Sequence, residues 1–167
     1  MQFRTSTESD IAAILDIIRQ AQEFFRSQGI DQWQNGYPNH EVIMQDIKNK
    51  ESYVLEEDGK ILATSMVTFK NQDAYDEIKG GNWLSSGAYA TIHRIAVDNH
   101  YKGHGLATRI IEYIEELCLS NHIYSIKVDT HEQNIPMQKL LKKEGFVYCG
   151  IVALSDGDRV AFEKLLP

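Results

Sequence analysis

Cysteine, proline and long apolar runs are scarce in this sequence, and each scarcity excludes a class of protein. Only 2 cysteines and 3 prolines occur among the 167 residues. So few cysteines do not indicate a disulfide framework. Cys118 and Cys149 show no metal-ligand spacing, so no zinc site is indicated either. No apolar run approaches the roughly 20 residues that span a bilayer, and the segment Met1–Thr5 lacks the apolar core of a signal peptide. We therefore expect a cytoplasmic protein with no metal and no membrane partner.

Positive charge is also in short supply. The chain carries 17 Lys and Arg residues against 24 Asp and Glu residues, which gives a net charge of −7. With no basic block to offset this charge, nucleic-acid binding is disfavoured, whereas a cationic acceptor such as an amine would be attracted. The length of 167 residues suits one well-buried core, so we predict a single domain over residues 1–167.

Hydrophobic periodicity predicts the secondary structure. Apolar residues at helical spacing predict a first helix that begins near Ile11 and is stopped by Gly29. Alternating apolar residues around Asp58-Gly59 and Asp156-Gly157 predict two hairpins. The element order is β-α-α-β-β-β-α-β-α-β-β, which indicates an α/β (α+β) fold with a mixed, mostly antiparallel sheet and helices on both faces.

A glycine-rich turn is the most informative local feature. It follows the predicted strand Tyr89–Val97, contains Gly103 and Gly105, and opens onto an amphipathic run over Thr108–Cys118. Such a turn presents unpaired N–H groups at the positive end of a helix dipole, where a phosphate or pyrophosphate binds well. The residues required for a P-loop or a dinucleotide fingerprint are missing. Taken alone, the two glycines also fit a plain tight turn.

A second motif follows on a later helix, and the two together identify a resemblance. The chain resembles the GNAT (Gcn5-related) N-acetyltransferases, whose signature is Gln/Arg-x-x-Gly-x-Gly/Ala after a strand. In that family, Asn-x-x-Ala/Met follows on a later helix that ends in Gly-Phe. Lys replaces Gln/Arg in the first pattern here. The matching residues are Lys102, Gly105 and Ala107 in the first pattern, and Asn134, Met137, Gly145 and Phe146 in the second.

The resemblance implies a fold with a splayed central strand pair and acetyl-CoA as co-substrate, without a metal. In the family, backbone groups of the strand before the turn bind the pantetheine arm. The N–H groups of the turn hold the pyrophosphate, and the motif Asn bonds the coenzyme arm. Asn134 also fits a plain helix N-cap before Pro136. The cofactor-binding residues so implied are Ile95, Ala96, Val97, Lys102, Gly103, His104, Gly105, Leu106, Ala107, Thr108 and Asn134.

The function implied is transfer of an acetyl group from acetyl-CoA to a primary amine of a small molecule or peptide. The alternative is a non-catalytic acyl-CoA-binding or sensing module. Many family members place a general-acid Tyr seven residues after the motif Asn, whereas this chain has Leu141. The role is therefore vacant, filled by Tyr148 or Tyr124, or unnecessary because a thiolate is a tolerable leaving group. A homodimer is compatible with either function.

Two histidines are the candidates for the general base. His93 lies in the strand before the turn and His131 lies just past the next strand, and an imidazole is poised near neutral pH. A structural or surface role remains open for both. Asp129 is a further candidate that would act through a water molecule.

The acceptor is expected to bind at the loop between the first two helices, which usually sets specificity in the family. This loop contains Asp31, Trp33 and Tyr37. Aromatic rings with a carboxylate suit an aliphatic amine or an amino-acid-like acceptor. In the alternative interpretation, Trp33 and Tyr37 pin the loop to the core.

Overall fold

All residues, 1–167, are described in a computed structural model with four α-helices and seven β-strands. The helices are α1 Ile11–Ser27, α2 His40–Lys48, α3 Leu106–Ser120 and α4 Ile135–Lys143. The strands are β1 Gln2–Thr5, β2 Ser52–Glu57, β3 Lys60–Thr68, β4 Ala90–Val97, β5 Ser125–Thr130, β6 Val147–Leu154 and β7 Gly157–Leu165. No helix is long and apolar enough to cross a membrane.

The strands form one seven-stranded sheet in the order β1-β2-β3-β4-β5-β7-β6. The pairs β1–β2, β2–β3, β5–β7 and β6–β7 are antiparallel, and β4–β5 is parallel. The predicted fold class, a mixed and mostly antiparallel sheet with helices, is thereby confirmed. The β4–β5 register contains two pairs, Ala90 with Ile126 and Thr91 with Lys127. Neither strand has a registered partner on the other beyond these pairs, as expected for a splayed pair.

Local signals in the sequence explain several element boundaries. Helix α1 ends at Ser27, shortly before Gly29, whose φ of 68° is left-handed. Asn39 caps α2 through its side-chain oxygen, which accepts the N–H of Val42 at 3.0 Å. The last strand begins at Gly157, which pairs with Leu154, so the hairpin predicted around Asp156-Gly157 is present.

The chain divides into two compact units, and two of the divisions fall within β4 and within α3. The first unit comprises residues 1–67 and 93–113. Its core is built by α1, α2 and β2, whose shared apolar residues are Ile11, Ile14, Ile18, Ile43 and Val54. Burial of these side chains stabilises the unit by about 25 cal/mol for each Å² of apolar surface removed from water. The prediction of one domain over residues 1–167 stays a prediction.

The second unit comprises residues 68–92 and 114–167, and a buried carboxylate organises it. Glu163 on β7 is fully buried and accepts the N–H of Leu84 at 2.7 Å and the hydroxyl of Ser125 at 2.6 Å. Ser85 adds its N–H at 3.3 Å and its hydroxyl. A buried charge is tolerable when hydrogen bonds satisfy it, so these contacts fix the segment before β4.

The same segment also lies against the edge strand β6. Lys79 and Ile151 exchange two backbone hydrogen bonds of 2.9 and 2.8 Å. Gly81 approaches the backbone so closely that an added Cβ would overlap the carbonyl oxygen of Cys149 and lie 2.9 Å from its carbon. The contact at Gly81 therefore requires a residue without a side chain.

We predict that Gly81→Ala destabilises the protein by about 1–3 kcal/mol, because backbone atoms on β6 must move to accommodate the methyl group. Gly87→Ala is the matched control, since nothing lies within 4 Å of its added Cβ. We expect the control to be neutral or stabilising by up to about 1 kcal/mol, through lower entropy of the unfolded chain. Urea denaturation of both variants checks this, and equal stabilities would contradict the close approach at Gly81.

Candidate functional site

The site predicted for the coenzyme begins where β4 departs from regular strand geometry. Arg94 has a φ of 53°, which is left-handed and unusual for a residue other than glycine. After this point Ile95 and Val97 are half-buried and Ala96 is buried. These three residues lack a registered partner on β5. The segment therefore has the backbone arrangement expected of a strand edge that receives an extended ligand.

A short 3-10 turn, Asn99–Tyr101, carries the chain from β4 to the glycine turn. The Asp98 carboxylate caps it by accepting the N–H of His100 at 2.9 Å. The side-chain oxygen of Gln20 on α1 accepts the N–H of Asn99 at 2.7 Å. These contacts fix the approach to the glycine turn on the first unit.

The glycine turn has the geometry that an anion site requires. Gly103 and Gly105 have φ values of 81° and 75°, and an added Cβ at either position would meet nothing within 4 Å. The turn is therefore open on the side where a side chain would project. The N–H groups of Leu106, Ala107 and Thr108 have no acceptor, and the first intrahelical bond runs from Arg109 N–H to the Gly105 carbonyl at 3.1 Å.

The electrostatics of this turn also suit a negatively charged group. No acidic residue lies in the first turn of α3, so nothing on the helix itself competes for the positive end of its dipole. The residues present thus fit the pyrophosphate of coenzyme A. Lys102 and His104 are exposed beside the turn, and the Lys102 ammonium lies 4.9 Å from the ring centre of Phe24. The Lys102 N–H itself is used in a 3.5 Å bond to the Asn99 carbonyl.

Asn134 lies in the second unit and caps α4. It is buried, and its side-chain oxygen accepts the N–H of Met137 at 3.3 Å. Pro136 lies in the first turn of the helix. The capping role expected from the sequence is therefore present, and a bond from Asn134 to the coenzyme arm stays a prediction.

The two candidate bases lie in different environments. His93 on β4 is half-buried, and burial lowers its pKa to about 4, with the charge of Arg94 acting in the same direction. Its imidazole is therefore neutral at pH 7. His131 uses Nδ1 to accept the N–H of Gln133 at 3.1 Å. In this tautomer the lone pair of Nδ1 is occupied, so His131 must release this hydrogen bond before that nitrogen can accept a proton.

The position of the family's tyrosine is part of the core. Leu141 is 2% exposed, whereas Tyr124 and Tyr148 are about half exposed. Sequence reasoning missed Tyr75, a buried residue that donates its hydroxyl to Asp129 at 2.5 Å. Burial raises the pKa of both groups, so Asp129 retains protons to higher pH than an ordinary carboxyl.

The expected acceptor loop is attached to α1. Gln22 on α1 donates to the carbonyl of Tyr37 at 3.0 Å, and Gln34 donates to the carbonyl of Gln22 at 3.0 Å. Trp33 lies edge-on to Phe25 with 5.5 Å between ring centres. This contact is of the kind expected in the alternative interpretation, in which Trp33 anchors the loop. Asp31 and Tyr37 are exposed, which suits residues that meet a ligand.

Arg94 was also missed by sequence reasoning. Its guanidinium contacts Tyr37 of the loop and Asp46 of α2. An arginine in the middle of a strand whose residues are mostly apolar is the signal that would have drawn attention to it.

Comparison with known proteins adds independent information. The S-(2-succino)cysteine N-acetyltransferase of Bacillus subtilis (strain 168) is 23% identical over 168 residues, covering 98% of this chain and 94% of that protein. The S-alkylcysteine N-acetyltransferase of the same organism is 26% identical over 117 residues, covering 70% and 60%. A crystal structure of a GNAT-family acetyltransferase from Streptococcus agalactiae 2603 superimposes with a TM-score of 0.90. It is 36% identical and covers 99% of this chain and 95% of that one.

The profile of the Acetyltransferase (GNAT) family matches residues 15–146. That range runs from α1 to the end of the second motif and includes the whole glycine turn. The sequence motifs, the sheet order and this match agree, and the chain belongs to the GNAT acetyltransferase family.

Proposed function

We propose that this protein is an acetyl-CoA-dependent N-acetyltransferase whose acceptor is the primary amine of a small amino-acid-like molecule. The observation that carries the proposal is the open, left-handed glycine turn at the N-terminus of α3, where three N–H groups lack acceptors. An S-substituted cysteine is the first acceptor to test, since two relatives are named for acting on such compounds. An acyltransferase is favoured over a non-catalytic acyl-CoA-binding module, because those relatives are enzymes.

The chain supplies the donor site as follows. The N–H groups of Gly103 to Thr108 bind the pyrophosphate, with Lys102 and His104 beside them. The backbone of Ile95–Val97 binds the pantetheine arm as an added strand would. Bound acetyl-CoA brings an acetyl thioester, which is activated for attack by an amine. A backbone N–H near Ile95–Val97 is the proposed donor to the carbonyl oxygen.

Proton transfer is assigned to His93. The amine nitrogen becomes more acidic as it bonds to the carbonyl carbon, and the neutral imidazole of His93, a weak base with a pKa of about 4, takes up that proton. No tyrosine is required as acid, in keeping with the buried Leu141 at the family's tyrosine position. The cytoplasmic location and a homodimer stay predictions.

A thiol-release screen tests the proposed function. The wild-type protein is incubated with acetyl-CoA and a panel of S-substituted cysteines, other amino acids, polyamines, aminoglycosides and peptides. We expect turnover with an amino-acid-like amine. Tight acetyl-CoA binding without thiol release for any amine would instead support the acyl-CoA-binding module.

We predict that Gly105→Val weakens acetyl-CoA binding at least about 100-fold, because the side chain fills the space of the pyrophosphate. Gly59→Val is the matched control, since Gly59 has a similar φ of 78° and equally open surroundings in a hairpin turn. Calorimetry should find normal affinity in the control. Undiminished affinity in folded Gly105→Val would mean that the pyrophosphate binds elsewhere.

We predict that Trp33→Ala raises the KM for the acceptor about tenfold, the scale of one lost aromatic contact, and leaves acetyl-CoA affinity unchanged. Trp33→Phe should retain most of the contact and therefore most of the activity. Steady-state kinetics and thermal unfolding are measured together. Loss of folding, with a normal acceptor KM in whatever folded protein remains, would assign Trp33 to the core.

The depressed pKa of His93 predicts a pH dependence of stability. An unfolded His takes up a proton near 6.5, whereas folded His93 does so near 4. The unfolded state therefore binds more protons between these values, and stability falls as pH drops through that window. The free energy of unfolding of the wild type should approach that of His93→Gln as pH falls from 7 to about 4.5, because glutamine does not titrate. If the unfolding free energies of the two proteins change with pH in parallel, the assigned pKa is contradicted.

The same variant tests catalysis. We expect His93→Gln to lower kcat about 100-fold, with no inflection from His93 in the wild-type kcat/KM profile between about pH 5 and pH 8. A change below about threefold in kcat would remove His93 from proton transfer.

A further inference from the structure

Arg94 joins three elements of the first unit. Its Nη2 donates to Oδ2 of Asp46 on α2 at 2.5 Å, and its Nη1 donates to the hydroxyl of Tyr37 at 2.6 Å. The ion pair is buried, with side-chain exposures of 11% for Arg94 and 9% for Asp46. Strand β4, helix α2 and the loop between α1 and α2 therefore meet at one guanidinium.

The backbone of Arg94 is strained at this point. A left-handed conformation costs a residue with a Cβ about 1–2 kcal/mol, and it persists only where surrounding contacts hold it. Here the buried ion pair with Asp46 supplies such a contact. Strain that is retained at one residue of a strand is a sign that the direction of its side chain matters.

The guanidinium is incompletely bonded, and its two contacts use different nitrogen atoms. Its Nε is buried without a hydrogen-bond partner, although buried N–H groups are nearly always bonded. The contacts to Asp46 and to Tyr37 use different Nη atoms. Removing the Tyr37 hydroxyl therefore leaves the buried ion pair in place.

The other contacts of the acceptor loop described above are with α1. Gln22 of α1 donates to the Tyr37 carbonyl, Gln34 of the loop donates to the Gln22 carbonyl, and Trp33 packs against Phe25 of α1. The hydroxyl of Tyr37 is instead bonded to β4, while the Tyr37 side chain remains 41% exposed. The bond from Arg94 thus orients an exposed aromatic residue of the loop relative to the strand.

We propose that Arg94 is a positioning residue that latches Tyr37, and with it the acceptor loop, to β4. The latch lies next to His93, the proposed proton acceptor, and immediately before Ile95–Val97, the proposed pantetheine edge. It thereby sets the place of the acceptor amine relative to both. Asp46 balances the charge of Arg94, so the latch does not repel a cationic amine. This inference rests on the proposed function.

Two substitutions break the latch, and each has a matched control. Tyr37→Phe removes one hydroxyl from an exposed side chain, and Tyr113→Phe is its control, because the ring of Tyr113 stays stacked on Phe3 at 5.6 Å. Arg94→Lys keeps the charge but loses the fork that reaches Asp46 and Tyr37 together. Its control is Arg19→Lys, at an exposed helix position.

The readouts are hydrogen–deuterium exchange of residues 28–39 in the ligand-free protein and steady-state kinetics with the best amine of the panel. We expect both latch variants to exchange about tenfold faster in this loop and to raise the acceptor KM about tenfold, with the acetyl-CoA KM within about twofold of wild type. The double variant should be no worse than Arg94→Lys, because both changes remove one interaction.

The proposal is overturned if Tyr37→Phe matches Tyr113→Phe in both readouts, or if the two latch substitutions are additive. It is also overturned if the acetyl-CoA KM rises as much as the acceptor KM, since a purely structural role would affect both. A wild-type protein that acetylates no amine refutes the proposed function instead. The exchange measurement then still decides whether Arg94 holds the loop.

Discussion

The left-handed backbone at Arg94 is the constraint on which the first unit's functional segment depends. It interrupts β4 after His93 and directs a guanidinium into a buried ion pair with Asp46. The strand then continues as Ile95–Val97 without a registered partner on β5. A regular strand would keep its hydrogen-bonding ladder and alternate its side chains. The pairing with β5 already ends at Thr91, and the left-handed residue that follows fixes a side chain that reaches the acceptor loop beside this open edge.

The second requirement is a local positive potential on an acidic protein. The net charge is −7, yet the proposed ligand is a polyanion. The helix N-terminus resolves this conflict, because three N–H groups of α3 lack acceptors and no carboxylate lies in its first turn. The remaining negative surface is then compatible with attraction of a cationic amine. Binding of the coenzyme is thus favoured by the positive helix N-terminus, and binding of the amine acceptor by the negative surface.

Local signals in the sequence were sufficient for the element order, the glycine turn and the cap of α4. Each depends on residues a few positions apart, such as Asn134 and Met137. The contacts missed are nonlocal. Arg94 meets Tyr37 and Asp46 across 57 and 48 positions, and Tyr75 meets Asp129 across 54. No pattern of hydrophobicity encodes such pairs, and the left-handed φ of Arg94 is set by tertiary contacts rather than by its own propensity. The site residues named from the family resemblance stay predictions.

The central claim is that the turn from Gly103 to Thr108 binds the coenzyme through its backbone. An NMR titration of the ¹⁵N-labelled protein with coenzyme A observes those N–H groups directly. The account predicts that the amide resonances of Gly103, Gly105, Leu106, Ala107 and Thr108 shift together, saturate with one affinity and move downfield as they acquire phosphate acceptors. Saturable binding of coenzyme A with these five resonances unmoved would contradict it.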